Sequence, residues 1–505
     1  MKRVVVIGGG LAGLTAGIFA QKHGYESVIV EKHKITGGQL TGWQRLGHHI
    51  DNCIHWLTGS NKNSADYKTW EEIGMIENGE LYQSESLYSY EKNGVTLSLY
   101  NDLDRLESDM TALSPVDEKA IKDLCFAVRT VQGITGVGGK NHDERLKFFE
   151  KIRRVPKLLK YLRSSIGDIA KEFENEVIRG FLSSLMTERF SAIALLIVFA
   201  TYTGHNGALP KGGSLAAARR ITDKYVRLGG RVVCGDGVKS VNVENGSARS
   251  VTTESGYELP ADAVIVTADP ASVFGSILEA EMPKAVKKNY SNKAMFRFSA
   301  VQCAFSCDSS ALNFKGDRIY DLTDEEKKIL KGEYIVFREF THEPSFAPTG
   351  RTVLQSMVFV DERESRRYID LKENGGYSER KAEIERVVRS VLARTMPKVS
   401  DDLVTLDVWT PATYKEYTLT ETGSFMSFCF GGGVAPTRAS GKIKGLKNVF
   451  LATQWQQAPG GLPIAADLGK RAVSYLDKAF AADKRAARRA EKLKYLAVKK
   501  TVKQR

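Results

Sequence analysis

Long apolar runs are missing from this 505-residue sequence. A helix that crosses a bilayer needs about 18 or more consecutive apolar residues, and the longest candidate, residues 192–200, is only about half as long. We expect this segment to form a core helix or one wall of an apolar tunnel, so no membrane-spanning segment is predicted. The first strand-like run begins at Val4, so a secretory leader is not expected either.

Several kinds of catalytic and metal site are also missing. The six cysteines include no C-x-x-C pair, and the sequence has no Ser-His-Asp arrangement, zinc-ligand spacing or Walker loop. We therefore predict no metal site. Scattered cysteines of this number favour buried thiols in a reducing compartment. The expected location is the cytoplasm, with the inner face of a membrane as the alternative.

Positive charge is in excess, but it is placed unevenly. The formal net charge is +13, and from Lys478 onward there are eleven Lys or Arg against two acids. This tail, residues 483–505, can be a solvated helix, a peripheral anchor on anionic lipid or a nucleic-acid contact. We expect no nucleic-acid partner, and we keep the first two alternatives. A second basic stretch, residues 151–163, allows a bilayer contact or an ordinary surface helix.

The N-terminal segment contains a glycine-rich turn between a strand and a helix. The apolar run Val4–Ile7 predicts a buried parallel strand, and residues 11–23 predict a helix that stops at Gly24. Gly8 permits the tight turn, Gly10 lets the backbone approach a pyrophosphate, and Gly13 lets the helix pack on the strand. The N–H groups at Leu11 and Ala12 would then face the phosphates.

Two further features select the dinucleotide. A second strand, residues 27–30, is followed by Glu31, at the distance expected of an acid that binds the adenosine ribose. Gly37 and Gly38 follow, and such a glycine pair is typical of flavoproteins in which the chain bends back over the diphosphate. We therefore predict FAD as the cofactor, with Lys32 and Gln39 also near it.

The chain returns twice to this predicted nucleotide domain. Residues 262–267 and 448–452 each predict another buried parallel strand, and a helix begins behind Gly460 and Gly461. The predicted fold class is α/β, a Rossmann-like FAD-binding domain with a second α+β substrate domain of mixed sheet and helices built from insertions. The predicted division is FAD-binding parts 1–86, 210–281 and 423–482, substrate parts 87–209 (helical) and 282–422 (mixed sheet), and the basic tail 483–505.

Motifs along nearly the whole chain support a family resemblance. Beside the N-terminal turn they are 47–51 (GHHID), 210–213 (PKGG), 343–350 (EPSFAPTG), 410–413 (TPAT), 423–425 (GSF) and 460–463 (GGLP). Together they resemble phytoene-desaturase-type flavoproteins, within the wider family of phytoene dehydrogenases, retinol saturases and flavin amine oxidases. The resemblance implies that Val238 faces the adenine. It also implies that the N-terminus of the helix at Gly461, Leu462 and Pro463 faces the flavin pyrimidine ring.

Two positions depart from the family pattern. Thr453-Gln454-Trp455 replaces the Gly-Asp or Gly-Ala-Gly that relatives often carry, and we expect Gln454 to substitute as a hydrogen-bond partner of the cofactor. Cys53 stands where many relatives have glycine, and a packed thiol or a reactive one beside the flavin are the alternatives.

Candidate acid–base groups follow the Gly37-Gly38 turn. An acid or base is needed because adding or removing hydrogen across a C–C bond moves a proton as well as a hydride. The candidates are His48, His49, Asp51 and His55. His55 is our first candidate and His49 our second. The alternative is that these histidines only satisfy backbone groups beneath the flavin. Six strand phenylalanines can line an apolar pocket or belong to plain core: Phe296, Phe298, Phe305, Phe337, Phe340 and Phe359.

Three functions follow from the sequence. The first is an FAD-dependent oxidoreductase that desaturates, saturates or isomerises C–C or C=C bonds of a long apolar substrate (a carotenoid, retinoid, other isoprenoid or fatty chain) by hydride transfer at flavin N5. The second is a flavin oxidase or dehydrogenase of amines or other small polar molecules. The third is a prenyl- or lipid-binding protein of the same fold without redox activity. The intact glycine turn and Glu31 argue against the third.

Overall fold

The computed structural model describes residues 1–76, 80–140, 145–435 and 438–503. The described strands are β1 (Arg3–Ile7), β2 (Glu26–Glu31), β3 (Gly42–Arg45), β4 (His48–Asp51), β5 (Leu81–Tyr82), β6 (Ser86–Lys92), β7 (Val95–Tyr100), β8 (Leu209–Pro210), β9 (Arg231–Cys234), β10 (Val238–Glu244), β11 (Ser247–Thr253), β12 (Glu258–Pro260), β13 (Ala263–Val266), β14 (Met295–Phe296), β15 (Phe298–Asp308), β16 (Asp317–Asp321), β17 (Tyr334–Glu339), β18 (Arg351–Asp361), β19 (Val404–Trp409), β20 (Cys429–Phe430) and β21 (Val449–Leu451).

The helices connect and cover these strands. They are α1 (Leu11–Lys22), α2 (Ala65–Ile73), α3 (Leu103–Leu113), α4 (Glu118–Ile134), α5 (Phe148–Arg154), α6 (Leu159–Arg163), α7 (Ile166–Ala170), α8 (Glu176–Ser184), α9 (Ala192–Thr203), α10 (Gly213–Arg227), α11 (Pro270–Val273), α12 (Lys284–Ser291), α13 (Asp324–Leu330), α14 (Glu362–Asn374), α15 (Tyr377–Thr395), α16 (Pro397–Ser400), α17 (Pro411–Thr418) and α18 (Leu462–Lys503). A 3-10 turn, Val155–Leu158, joins α5 to α6.

A five-stranded parallel sheet contains the N-terminal turn. Its order is β21-β13-β1-β2-β9, so strands from three separated parts of the chain lie side by side. β1 is buried except at Arg3, because helices α1, α10 and α18 cover one face and a second apolar layer from β10, β11 and the segment after β13 covers the other. The carboxyl ends of these parallel strands therefore meet at one edge, where such folds bind nucleotides.

A seven-stranded mixed sheet forms the second half, in the order β19-β15-β18-β17-β16-β6-β7. β15 is buried at every position except Asp308, because its two faces both pack against apolar layers. β6 pairs in parallel with β16, which adds a hairpin from residues 86–100 to the sheet. Residues 87–209 are predicted to be helical, and the hairpin departs from that prediction because its partner strand β16 lies far along the chain.

Helices α3–α9 form a layer against this sheet. The apolar segment from residue 192 is helix α9, and most of its residues are buried. Within the described ranges, no helix has both the length and the apolar character needed to cross a bilayer.

Two further features concern the C-terminus and the cysteines. The helix predicted behind Gly460 and Gly461 is α18, which continues without a break through the basic tail to Lys503, and residues 504 and 505 of that tail lie outside the described residues. All six cysteines are free thiols.

Candidate functional site: a cofactor cradle that opens into an apolar chamber

One cavity of about 1010 Å³ joins the parallel sheet to the mixed sheet and the helical layer. Most of the predicted site residues line it: Gly8, Gly10, Leu11, Ala12, Glu31, Lys32, Gly37, Gly38, Gln39, His55, Val238, Gln454, Gly461, Leu462 and Pro463. Gly13 and His49 are not among the lining residues. The cavity therefore brings together groups from three distant parts of the chain.

The turn between β1 and α1 depends on two of its glycines. Gly8 has a φ of +101°, and a Cβ there would lie 2.6 Å from Oγ1 of Thr267. A Cβ on Gly13 would lie 1.9 Å from the carbonyl oxygen of Gly8, a distance that no side chain can adopt. Gly13 thus acts from behind the turn, because it lets α1 start directly against β1.

The start of α1 has free capacity to bind an anion. Gly10 is the N-cap in an extended conformation, and no side chain caps the helix. A Cβ on Gly10 would approach only Gly37 and Gly38, at 3.9 Å, so the space beside it opens to the cavity. Unpaired N–H groups and the positive end of the helix dipole are the usual features of a phosphate site. This turn fits the diphosphate of a dinucleotide.

The Glu31 carboxylate is held by two backbone groups. Its Oε2 accepts a hydrogen bond from the N–H of Gly9 at 2.6 Å, and its Oε1 accepts one from the N–H of His33 at 2.9 Å. The side chain is buried and still lines the cavity. Because an ionised carboxylate has about four acceptor positions, Glu31 retains the capacity to accept from two ribose hydroxyls.

The Gly37-Gly38 pair lies directly on the first turn. The N–H of Gly37 donates to the carbonyl of Gly9 at 2.8 Å. Gly38 has a φ of +59°, and a Cβ there would lie 3.1 Å from the Cα of Gly10. The two backbones approach so closely that the pair closes one side of the diphosphate space.

The residues toward the adenine end are arranged around β10. Val238 is buried at the start of β10. Lys32 lies 3.8 Å from Glu254 with both side chains half-exposed. Gln39 also lines the cavity, and its Nε2 donates to the Ser424 carbonyl at 3.4 Å.

At the N-terminus of α18, Gln454 lines the cavity and also contacts the glycine turn that precedes the helix. Its Oε1 accepts the N–H of Gly461 at 3.1 Å, so the side chain braces the glycine turn that precedes the helix. Gly461 has a φ of +122°, and a Cβ there would meet nothing within 4 Å. The turn therefore presents open backbone to the cavity.

His55 lies in a polar cluster on the cavity wall. Its Nδ1 is 3.6 Å from Oδ2 of Asp317. Arg338 donates to both oxygens of Asp317, at 2.7 and 3.1 Å, and also to the carbonyls of Ile54 and His55. Asp317 and Arg338 face each other on the antiparallel strands β16 and β17, which fixes their positions.

The electrostatics of this cluster favour a neutral imidazole. Burial lowers the pKa of His55, and the Arg338 guanidinium lowers it further, while Asp317 acts in the opposite direction. Burial raises the pKa of Asp317, but Arg338 and His55 outweigh it and hold the pKa below its usual value. At neutral pH the cluster therefore holds a carboxylate, a guanidinium and an uncharged histidine that can accept a proton.

His49, the second candidate, is away from the cavity, which removes the geometric basis for a catalytic role. Its ring packs 4.4 Å from that of Phe346, and its Nδ1 is 3.3 Å from Nε2 of Gln44. Asp51 accepts from the N–H and Oγ of Ser214, so it supports the start of α10. Alternating side chains of a strand point to opposite faces, so His49 and Asp51 share one face of β4, with Nε2 of His49 3.9 Å from Oδ1 of Asp51.

Cys53 is half-buried and lines the cavity. Burial raises its pKa to about 12, and the nearby carboxylate of Asp51 acts in the same direction. The thiol is therefore protonated at neutral pH and is a weak nucleophile.

We call the α1 turn, Glu31, the Gly37-Gly38 pair and the turn at Gly461 the cradle. Beyond the cradle, the cavity becomes an apolar chamber. Its wall is formed by Leu87, Val137, Leu185, Met186, Phe190, Ile193, Ala194, Ile197, Val198, Phe298, Ile319, Val336, Met357, Phe359, Phe425, Met426 and Phe430. Helix α9 supplies four of them, so the apolar segment from residue 192 is both core and cavity wall. Of the six phenylalanines considered from the sequence, only Phe298 and Phe359 line the chamber, because the others lie elsewhere in the core or against its edge.

Three groups at the cavity were missed from the sequence. They are the Asp317–Arg338 pair, the buried Asp269 at the end of β13, and Tyr417, which stacks on His33 at 4.3 Å. Asp269 could have been predicted, because it comes shortly after β13, which ends at Val266 and pairs in parallel with β1. The other two depend on strand register and loop placement.

The fold and the cavity place this protein among the FAD-dependent oxidoreductases.

The chain belongs to the family described as flavin-containing amine oxidoreductase, which it matches over residues 11–476. Among curated proteins it is 22% identical to a prolycopene isomerase of Daucus carota over 446 residues, 83% of this chain and 71% of the relative. It is 24% identical to a 4,4'-diapolycopen-4-al dehydrogenase of Metabacillus indicus, with 94% and 96% covered. A lycopene-forming phytoene desaturase of Pseudescherichia vulneris is 23% identical, with 85% and 89% covered.

Solved structures support the fold. An oxidoreductase from Methanosarcina mazei superposes with a TM-score of 0.64 at 16% identity, over 94% of this chain and 99% of that chain. A cyclohexylamine oxidase from Brevibacterium oxydans gives a TM-score of 0.55 at 15% identity, over the same shares. These findings confirm the predicted fold class, the family resemblance and FAD as the cofactor. The individual site residues stay predictions.

Glu31 provides a first test of the cradle. Replacing Glu31 by alanine removes the acceptor of two buried N–H groups and the proposed ribose ligand. We expect FAD affinity to fall by about tenfold to hundredfold, as for a lost charged hydrogen bond, measured by titrating apoprotein with FAD. Glu26→Ala, at the exposed start of the same strand, is the matched control. Equal FAD affinity in the two variants would contradict the assignment.

Proposed function

We propose that the protein desaturates, saturates or isomerises C–C or C=C bonds of a long apolar isoprenoid. The observation that carries this proposal is the continuity of the cofactor cradle with an apolar chamber of phenylalanine and aliphatic side chains. Its relatives among curated proteins, a prolycopene isomerase and a phytoene desaturase, support the same substrate class. Apolar pockets with few polar groups bind apolar ligands through burial of their surface.

We assign the cofactor to the cradle on the same basis. FAD, when bound, supplies a two-electron acceptor and donor at its N5 atom. The α1 turn and Gly37-Gly38 would hold the diphosphate, Glu31 the ribose, and the turn at Gly461 the flavin end. The chamber walls exclude water and orient the chain of the substrate beside this end.

His55 would accept the proton that the reaction releases. In desaturation one carbon loses hydride and its neighbour loses a proton, and the remaining electron pair forms the new double bond. A neutral His55 can accept that proton, with Asp317 and Arg338 as positioning residues that hold the ring at the wall. Because burial lowers the pKa of His55, its imidazole is uncharged at neutral pH and free to accept this proton.

A ring placed in the chamber tests this proposal. Ala194→Trp puts an indole into the space along α9, so we expect at least about a tenfold loss of kcat/KM for long isoprenoids from lost burial of the chain. FAD occupancy should be unchanged, because Ala194 lies outside the cradle. Val116→Trp, at an exposed site, is the control. Unchanged kcat/KM in Ala194→Trp would exclude the chamber as the substrate site, and turnover of small amines would favour amine oxidation.

We also propose that the protein acts in the cytoplasm and contacts an anionic membrane surface through the basic tail, residues 483–505. The excess of Lys and Arg supports electrostatic attraction to such lipid. Deleting the tail should reduce sedimentation with vesicles of phosphatidylcholine and phosphatidylglycerol, and added salt should reproduce the loss in the full chain. Equal sedimentation of the full and truncated chains would exclude the tail as an anchor.

A further inference from the structure

Helix α5 presents its apolar residues to solvent. Phe148 is 71% exposed, Phe149 82% and Ile152 57%, and no residue of the helix is buried. Lys151 and Arg154 are the half-buried members. A surface helix of a soluble domain has the opposite arrangement, with its apolar stripe inward. The outward stripe indicates a surface made for a partner.

The same exposure continues along the chain. Val155, Leu159 and Leu162 are 39%, 46% and 44% exposed in the 3-10 turn and α6. Leu158 and Tyr161, on the other side, are buried in the core of the helical layer. The segment is therefore fixed to the protein through one face and offers the other to solvent. We call the six exposed side chains at 148, 149, 152, 155, 159 and 162 the docking face.

Basic residues surround the docking face. Residues 147–163 contain seven Lys or Arg and one acid, Glu150. Aromatic and aliphatic side chains framed by Lys and Arg are typical of helices that lie in the interface of an anionic bilayer. A second copy of this chain would bring two sets of these positive charges together, so charge complementarity favours lipid over self-association.

The docking face adjoins the wall of the chamber. The end of α6 is joined to the start of α9 by the N–H of Ala192, which donates to the Ser164 carbonyl at 3.0 Å. The N–H of Gly433, shortly after the lining residue Phe430, donates to the Leu162 carbonyl at 2.8 Å. Ile197 of α9 lines the cavity and is 38% exposed. The docking face and this part of the chamber wall therefore belong to the same helical layer.

We propose that the docking face inserts into the outer region of an anionic lipid bilayer and holds the chamber wall against it. This surface is separate from the basic tail, and its binding to lipid requires neither FAD nor substrate. The consequence that an apolar substrate enters from the bilayer rests on the proposed function. Insertion of the two phenylalanines supplies the hydrophobic part of the binding, and the surrounding Lys and Arg supply the electrostatic part.

The test uses FAD-loaded full-length protein and vesicles of phosphatidylcholine, with and without phosphatidylglycerol. In the double variant Phe148→Ser with Phe149→Ser we expect about a tenfold or larger fall in the vesicle partition coefficient, from the lost burial of two aromatic rings. The matched control is Leu46→Ser with Tyr257→Ser, which removes two side chains that are each 72% exposed elsewhere. This control should bind like the parent chain.

Two further measurements separate lipid docking from its alternatives. The same double variant in a chain without residues 483–505 should lose the binding that remains, because the tail no longer contributes. Arg153→Gln with Arg163→Gln should weaken binding to the anionic vesicles only. Equal partitioning of Phe148→Ser/Phe149→Ser and its control would overturn the proposal. A dimer in light scattering that this variant alone converts to monomer would overturn it in favour of self-association.

Discussion

His55→Ala is expected to slow turnover of the isoprenoid substrate by about 10²- to 10⁴-fold, the usual contribution of a general acid or base. The reason is positional, because His55 is the candidate histidine that lines the cavity and is held beside Asp317. FAD occupancy should stay at the parental level, since the side chain is outside the cradle. The rate is measured per flavin-loaded molecule, so that folding losses do not enter the comparison.

His49→Ala is the matched control. Its ring packs against Phe346 and is not among the residues that line the cavity, so turnover per flavin should remain near that of the parent protein. A large loss in His49→Ala, or none in His55→Ala, would contradict the assignment. The pH profile is a further test: because the pKa of His55 is lowered from 6.5, activity should persist until the pH falls through that lowered value. Asp317→Asn removes a group that raises this pKa, so the acid limb should move to lower pH.

The second large effect is on stability. In Asp317→Ala the buried Arg338 guanidinium loses its carboxylate partner, and we expect the free energy of unfolding to fall by about 3–5 kcal/mol, as when one partner of a buried pair is removed. The side chains of Asp317 and Arg338 are only 9% and 11% exposed. Chemical unfolding of the FAD-loaded protein, with and without the substitution, measures the change.

A double variant provides the control for this prediction. Asp317→Leu with Arg338→Met removes both charges and should recover much of the lost stability, because no buried charge is left unpaired. Asp321→Ala, at the other end of β16, should cost much less, since Asp321 is 39% exposed. A double variant less stable than Asp317→Ala would show that the pair does not act as a unit. The pair contributes above the unfolded pKa of Asp317 and is lost as pH falls through its lowered folded value.

The residues of the cofactor half of the site could be predicted from the sequence because the patterns that indicate them are local. Gly8, Gly10 and Gly13 are constrained by a turn of a few residues, and Glu31 follows at a distance set by one helix and one strand. The returns at residues 262–267 and 448–452 form the strands β13 and β21, which are buried at every position, so continuous apolar runs reveal them. In the parallel sheet β13 pairs with β1 on one side and with β21 on the other.

The chamber half was harder, because its groups meet only through long-range register. Asp317 and Arg338 are 21 residues apart and become neighbours when β16 pairs with β17. The role of Gln454 depends on a turn that folds it back onto Gly461. Phenylalanine in a strand gives no indication of which face meets the cavity, and four of the six considered face elsewhere. The hairpin β6–β7 joins the mixed sheet through a parallel pairing of β6 with β16, which no local sequence pattern predicts.

The central claim is that one cavity brings FAD and a long apolar isoprenoid together. In the most direct measurement, the FAD-loaded protein is mixed anaerobically with an acyclic polyene of carotenoid type and, in a separate sample, with a primary amine. The flavin absorbance is followed in both samples. Bleaching of the oxidised flavin by the polyene, with loss of two hydrogens from the product, is the result that the account predicts. Bleaching by the amine alone, or reaction with neither compound in either flavin redox state, would contradict it.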